Sequence, residues 1–98
     1  MSQINHLRLL PWSGADGQPA HLVTDGRGSF LSRLADQMEA TQLETGTQVL
    51  KLSRAMLASI ETPTSDELFY VTHRLAECLT DALRVAEIRG QRITGYEG

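Results

Sequence analysis

The residues with the most obvious potential for chemistry are His73 and Glu77, which are four positions apart in a stretch with helical periodicity. This spacing places an imidazole and a carboxylate on one side of a helix, where they can share a proton or supply two ligands to a metal ion. Carboxylate sites in bundle cores use a Glu-x-x-His spacing, which this sequence lacks. Two ligands are half a site, so we expect a helix-stabilising surface pair and predict no metal and no cofactor.

Nucleophilic catalysis has two kinds of candidate, the single cysteine and the serines. Cys78 falls on the apolar stripe of a predicted helix, where a thiol is most often a small buried hydrophobe. None of the serines lies in a Gly-x-Ser-x-Gly motif, which would expose a nucleophile on a tight turn. We therefore predict that the chain has no catalytic residues and is not an enzyme.

The segment Asp-Gly-Arg-Gly-Ser at residues 25–29 joins a predicted strand to the start of a predicted helix. Free backbone N–H groups at a helix start favour an anion, and Arg27 adds a positive charge. The segment lacks the Gly-Lys-Ser/Thr of a P-loop and the third glycine of a dinucleotide fingerprint, which favours a flexible linker. Arg27 and Ser29 are kept as candidate partner-binding residues.

The only tryptophan, Trp12, is the third candidate for partner binding. One interpretation is that it seals a β-hairpin onto the helices, with its indole N–H reaching a carbonyl oxygen. The alternative is a hot spot for a protein partner on an exposed edge, because tryptophan is enriched at such places.

Length and composition limit the class of protein. The 98 residues allow one domain, which we take as residues 1–98. The net charge of −3 gives no long-range attraction toward nucleic acid or anionic lipid. No stretch approaches the ~20 apolar residues of a membrane span, and one cysteine allows no internal disulfide. We expect a cytoplasmic protein that binds no membrane, and the charge disfavours nucleic acid as a partner.

The N-terminal part predicts a β-hairpin over residues 5–25. Two short, partly apolar runs, 6–12 and 19–24, flank Asp16-Gly17, a pair that supplies the positive φ of a tight turn. Two strands alone are marginal in water, so this hairpin must pack against helices.

The first predicted helix covers residues 29–61, because the apolar period changes to about 3.6 at Ser29 and Pro63 cannot continue a helix. Gly46, between two threonines, allows a break near the middle. Arg33, Asp36, Glu39 and Lys51 are expected to point away from the apolar stripe. The stripe expected to face the core consists of Leu31, Leu34, Ala35, Met38, Val49, Leu52, Met56 and Ile60.

The second predicted helix covers residues 64–89. Thr64 and Glu67 have the spacing of a capping box, in which each side chain accepts a hydrogen bond from the other residue's backbone. Gly90 is the expected C-cap, and residues 91–98 are expected to form a frayed tail.

A turn as short as residues 61–64 makes two long helices antiparallel neighbours. The predicted fold class is therefore mainly α (α+β), with an N-terminal β-hairpin followed by a long antiparallel helical hairpin. More apolar faces exist than one partner helix can hide, so we predict a homodimer in which two hairpins form a four-helix bundle. The predicted dimer interface consists of Leu43, Leu50, Leu57, Phe69 and Leu83.

Several short motifs in the first half of the chain resemble those of a set of small actinobacterial proteins of unknown function. The resemblance implies no activity and no ligand. The motifs are Leu10-Pro11-Trp12, Asp16-Gly17, residues 22–25, Ser32-Arg33-Leu34-Ala35-Asp36, Glu39-Ala40 and Gln42-Leu43.

The function that these patterns favour is a non-enzymatic, homodimeric interaction module, an adaptor or regulator that works through a protein partner. The alternative is a nucleic-acid-associated regulator with a local basic patch. That patch would use Arg27, Arg33 or the cluster of Arg84, Arg89 and Arg92.

Overall fold

The structure is a computed structural model that describes residues 6–24 and 30–94. It confirms a mainly helical chain with an N-terminal antiparallel hairpin and two long helices that pack together. The elements, in chain order, are strand β1 (His6–Ser13), a 3-10 turn (Ala15–Gly17), strand β2 (Pro19–Thr24), helix α1 (Phe30–Ala58) and helix α2 (Ser65–Thr94).

The hairpin turns at the pair that the sequence indicates. Asp16 and Gly17 have φ angles of 60° and 75°, the left-handed region that an Asp-Gly pair adopts readily. The strands pair antiparallel, and the register becomes irregular between Leu9 and Ser13. Pro11 lies in this interval and has no N–H to donate to a ladder, which accounts for the irregularity.

Helix α1 is continuous through Gly46, where the sequence allowed a break. A Cβ atom built on Gly46 would lie 3.9 Å from the Cβ of Cys78 on α2, so the two helices approach closely at this glycine. Packing against α2 therefore holds the helix together at a residue that lowers its intrinsic propensity.

Helix α2 begins with the predicted capping box. The Glu67 amide donates to Thr64 Oγ1 at 3.1 Å, and the Thr64 amide donates to Glu67 Oε1 at 2.8 Å. The end of the helix differs from the prediction, because α2 continues through Gly90 to Thr94 and Gly90 is not a C-cap. Burial of Ile88, two residues before Gly90, anchors this turn, and the anchoring offsets the ~1 kcal/mol cost of a helical glycine.

The chain divides into two halves along its length. In the proximal half the β-hairpin packs on the N-terminal part of α1 and the C-terminal part of α2. In the distal half the two helices pack on each other alone and end at the tip formed by residues 59–64. The buried apolar residues are Leu9, Leu10, Ala35, Val85 and Ile88 in the proximal half and Val49, Val71 and Cys78 in the distal half.

The molecule is much longer than a compact domain of its size. Its radius of gyration is 17.7 Å and its extents are 66 × 29 × 23 Å. A compact domain of ~100 residues has a radius of gyration of ~13 Å.

The buried face of α1 is rotated relative to the predicted stripe. Leu31, Leu34, Leu52 and Ile60 were expected to face the core and are exposed. Their places are taken by Ser32, Glu39 and Ser53, each of which exposes less than a tenth of its surface. Two of these are small residues that let neighbouring elements approach closely, and the carboxylate of Glu39 is paired with the nearly buried Arg8 and the half-exposed Arg89, as described below.

Candidate functional site

A set of leucines, three from each helix, lies along the surface of the distal half. On α2, Leu79 exposes 60% of its surface, and on α1 Leu57 exposes 83%. Leu50, Leu68 and Leu75 are also exposed, and Leu43 is half-buried. We call Leu43, Leu50, Leu57, Leu68, Leu75 and Leu79 the leucine face.

The rows from the two helices lie on the same side of the helical hairpin. Arg89 of α2 meets Glu39 of α1 on one side of the α1–α2 contact, with Nε and Oε1 3.6 Å apart. Residues seven apart keep the same face along a packed helix pair. Steps of seven from Arg89 reach Leu75 and Leu68. Leu43, Leu50 and Leu57 each lie four residues after Glu39, Gly46 and Ser53. The two rows are therefore neighbours on the surface of α1.

The five residues of the predicted dimer interface are distributed over this region. Leu50 and Leu57 belong to the leucine face, and Leu43 is its half-buried member. Leu83 exposes 62% of its surface and Phe69 exposes 69%. Both residues lie further around α2 than the leucines of the leucine face.

The surface area of the chain exceeds what a folded monomer of its mass normally exposes. The accessible surface is 7495 Å² for a mass of 10.8 kDa. The scaling of surface with mass for compact monomers gives about 5,500 Å². The excess is therefore on the order of 2,000 Å².

A partly buried ion cluster, centred on Glu39, joins the β-hairpin to the helices. Arg8 Nη2 on β1 lies 2.7 Å from Asp36 Oδ1 and 3.2 Å from Glu39 Oε2, and Nη1 donates to the Ser32 carbonyl at 3.1 Å. The Glu39 side chain is only 1% exposed, and it also receives Arg89. Two cations facing one buried carboxylate offset the cost of removing it from water.

Glu39 was predicted to point away from the apolar stripe, and this prediction is wrong, because its side chain is 1% exposed. Its partner Arg8 is 31 positions away and on a different element, so no local spacing reveals the pair. The signal that the sequence offers is the spacing of Glu39, which lies four residues after Ala35 and so on the same side of the helix. Ala35 was predicted to face the core and is fully buried.

A second polar contact fixes the irregular part of β1. The Pro11 carbonyl accepts from Gln42 Nε2 at 3.3 Å and from Arg84 Nη1 at 3.2 Å. Of the proposed basic patch, Arg84 therefore donates to a backbone carbonyl inside the fold, and Arg89 forms an ion pair with Glu39 while its side chain stays 52% exposed. Arg33 is exposed, and Arg27 and the side chain of Arg92 lie outside the described part of the chain.

Trp12 is half-buried and lines a cleft of about 170 Å³ between the hairpin and the C-terminal part of α2. Its position accords with the interpretation that it helps to seal the hairpin onto the helices. The walls of the cleft include Leu9, Pro19, His21 and Glu87. Pockets for drug-sized ligands are roughly 300–1,000 Å³, so this cleft has room for a single side chain or a few waters.

The two residues with candidate metal chemistry do not pair with each other. Glu77 Oε1 accepts from Arg74 Nη1 at 2.6 Å, and this hydrogen bond raises the pKa of the Arg74 guanidinium. The His73 ring lies 5.3 Å from the ring of Phe69 instead. Within residues 6–24 and 30–94, no group of three His, Cys, Asp or Glu side chains is placed to hold a metal ion.

Arg27 and Ser29 fall in residues 25–29, outside the described residues. Neither α1 nor α2, as far as the structure describes them, is apolar enough to cross a lipid bilayer. No protein-family model, no curated protein and no solved structure matches this chain. The resemblance to small actinobacterial proteins therefore stays a prediction.

The fold and its surface define a structural class, an elongated helical hairpin that is capped at one end by a β-hairpin and carries an apolar face at the other end.

Proposed function

We propose that this chain is a non-enzymatic protein-interaction module that works as a homodimer, with two helical hairpins forming a four-helix bundle. The observation that supports this proposal is the leucine face on a molecule with an excess surface on the order of 2,000 Å². Large exposed apolar patches on folded domains mark interaction sites.

The excess surface has the magnitude that a stable interface requires. Standard interfaces remove about 800 Å² from each partner. Two copies that each buried half of this excess, about 1,000 Å², would form an interface at the upper end of the standard range. The interface would include Leu43, Leu50, Leu57, Phe69 and Leu83.

The proximal half remains free in such a bundle and is the part that would receive a protein partner as an adaptor or regulator does. Trp12 contributes an aromatic ring to the cleft there, and tryptophan is the residue type most enriched at binding hot spots. Arg27 and Ser29 remain candidates for the same role from the segment between β2 and α1.

The basic-patch alternative has weaker support. Arg84 and Arg89 make internal contacts with the Pro11 carbonyl and Glu39, which leaves them less able to contact a phosphate backbone. A mobility-shift measurement at low salt tests this alternative, and a shift that disappeared steeply with salt would favour it.

The test of the homodimer uses two neighbouring leucines of α1. Leu50 belongs to the leucine face, whereas Leu52 is equally exposed on the other side of the helix, at 43% and 47%. We expect Leu50→Glu to convert a dimer into a folded monomer, because it places a charge in an apolar interface. The mass by light scattering and the helix content by far-UV circular dichroism are measured together.

Leu52→Glu is the matched control, and it should leave the mass unchanged. Equal masses for wild type, Leu50→Glu and Leu52→Glu would contradict the proposed interface. A monomeric wild type would contradict the homodimer itself.

A further inference from the structure

We propose that the protein partner binds as an extended strand along the open edge of β2 and places two apolar side chains, two residues apart, on the face of the sheet that carries His21 and Val23. This inference rests on the proposed interaction module, because it specifies how the proximal half receives its partner. It does not depend on the dimer in the distal half.

The first argument is that one edge of β2 is open. β1 packs on both helices, through Arg8 and the Pro11 carbonyl, and it pairs with the other edge of β2. Within residues 6–24 and 30–94, no further strand pairs with β2. In an antiparallel pair, every second residue directs its N–H and C=O away from the neighbouring strand. These groups match the spacing of another extended chain, so the edge selects a strand as its partner.

The second argument is that this edge lacks the features that normally prevent strand pairing. Sheet edges are protected by charged side chains, prolines or bulges. The six residues of β2, Pro19–Thr24, include no Asp, Glu, Lys or Arg, and the one proline is the first of them. The irregular register adds its extra residues to β1, between Leu9 and Ser13. The stretch from His21 to Thr24 therefore offers a regular edge.

The third argument is that two apolar subsites follow this edge. Leu7 and Val23 are cross-strand partners that expose 63% and 66% of their surfaces. His21, two residues from Val23 along β2, lines the cleft that contains Trp12. Residues two apart in a strand point to the same face and are about 7 Å apart. An added strand would therefore place one side chain against Leu7 and Val23 and the side chain two residues along at the cleft.

The lining of the cleft indicates which side chain it would take. Leu9, Trp12 and Pro19 supply apolar surface, whereas Arg84 and Glu87 supply charges of opposite sign. The opposite charges give no preference for an ion of either sign, and the apolar surface favours a neutral side chain. The volume of about 170 Å³ has room for one such side chain.

The fourth argument identifies the occupant as another protein and not a second copy. In the described strands, every pair of large apolar residues two apart belongs to β1, which is already packed in the fold. In β2 the larger apolar residues, Leu22 and Val23, are neighbours and point to opposite faces. The β2 strand of a second copy could therefore fill only one of the two subsites.

The test first selects a ligand for the full chain. Short random peptides displayed on phage are selected on the wild-type protein, and the most enriched peptide is synthesised with a fluorescent label. We expect the enriched peptides to share two apolar residues two positions apart. Binding is measured by fluorescence polarisation and by the emission of Trp12, the only tryptophan, which should shift when a side chain fills the cleft.

Methylation of the peptide backbone then distinguishes a strand from other modes of binding. N-methyl groups on every second residue block the hydrogen bonds along one edge of the peptide. We expect methylation of one alternate set to abolish binding and methylation of the other set to leave it unchanged. Equal effects of the two sets would overturn strand addition.

The matched variants are Val23→Lys on the edge and Leu52→Lys on α1, both at exposed apolar positions. Val23→Lys should weaken binding by at least about tenfold, because burial of a valine side chain contributes a factor of that size. Leu52→Lys should leave the affinity unchanged, and far-UV circular dichroism establishes that both variants are folded. Equal affinities of the two variants would overturn the subsite at Val23.

Further outcomes separate this inference from the proposed homodimer. Leu50→Glu, the variant expected to be monomeric, should bind the peptide with wild-type affinity. Failure to enrich any peptide, or binding only of a peptide with the sequence of residues 19–24, would overturn the inference and leave the homodimer standing. A monomeric wild type that bound the selected peptide along β2 would overturn the homodimer alone.

Discussion

The proximal and distal halves of the molecule are built from the same two helices but are stabilised differently. In the proximal half, α1 and α2 share a third element, and a buried carboxylate is paired with two arginines. In the distal half, the helices bury Val49, Val71 and Cys78 between them, and large apolar side chains remain on the surface.

The two halves differ in how much apolar surface their own elements cover. Two helices that pack alone cover one stripe each, so any additional apolar row stays in water. The β-hairpin covers additional apolar surface in the proximal half only. A second copy of the chain would cover the apolar surface of the distal half. Substitutions in the two halves should therefore have different effects.

The largest expected effect is in the ion cluster of the proximal half. Glu39→Ala should lower the free energy of unfolding by about 3 to 5 kcal/mol, because it leaves the buried Arg8 with fewer partners. Glu77→Ala is the matched control from the distal half, where the carboxylate is exposed and pairs with Arg74 on the surface. Urea denaturation followed by circular dichroism measures both.

Glu39→Gln keeps the side-chain shape and should cost less than Glu39→Ala. Equal stability of Glu39→Ala and Glu77→Ala would show that the cluster does not hold the hairpin in place.

The next effect compares two apolar side chains of α2. Ile88 is 1% exposed, and Ile88→Ala should lower stability by about 2 to 4 kcal/mol at every protein concentration. Leu79→Ala should lower it mainly at high concentration, where the proposed second copy would cover Leu79 and stabilise the wild type, and hardly at all at concentrations low enough to dissociate the dimer. Unfolding midpoints measured over a hundredfold range of concentration distinguish the two. A concentration-independent loss for Leu79→Ala would place that side chain inside the monomer.

A smaller effect is expected at the tip. Thr64→Ala removes the hydroxyl that accepts from the Glu67 amide, which should cost about 1 kcal/mol. Thr64→Ser keeps this acceptor and should be nearly neutral. If both variants lost the same stability, the capping box would contribute nothing.

The smallest effect has the opposite sign. Gly46→Ala should stabilise the chain by about 0.5 to 1 kcal/mol, because the helix is continuous there and alanine favours it. The added Cβ would make an ordinary contact 3.9 Å from Cys78. Thermal unfolding measures the change, and a loss of stability would indicate that the helices are closer at Gly46 than described.

The elements of the fold could be predicted from the sequence where the signals are local. The Asp16-Gly17 turn and the Thr64–Glu67 capping box each depend on residues within four positions, and both are present. The end of α2 could not be predicted in the same way. Gly90 has the local signal of a C-cap, but packing of the preceding turn keeps the helix intact.

The interior of the fold was harder to predict, because it depends on distant contacts. The apolar period of α1 indicates two possible stripes, and only the position of α2 and β1 decides which of them is buried. Leu31 and Leu52 were therefore placed inside, and Glu39 was placed outside. Of the second apolar row of α1, Leu50 and Leu57 are exposed and Leu43 is half-buried, and the role of this row in an interface stays a prediction.

The central claim is that a second copy covers the leucine face. Sedimentation equilibrium of the wild-type chain over a wide range of concentration tests it most directly. We predict a mass of twice 10.8 kDa at micromolar concentration, with dissociation only on strong dilution. A single species of 10.8 kDa at millimolar concentration would contradict the account.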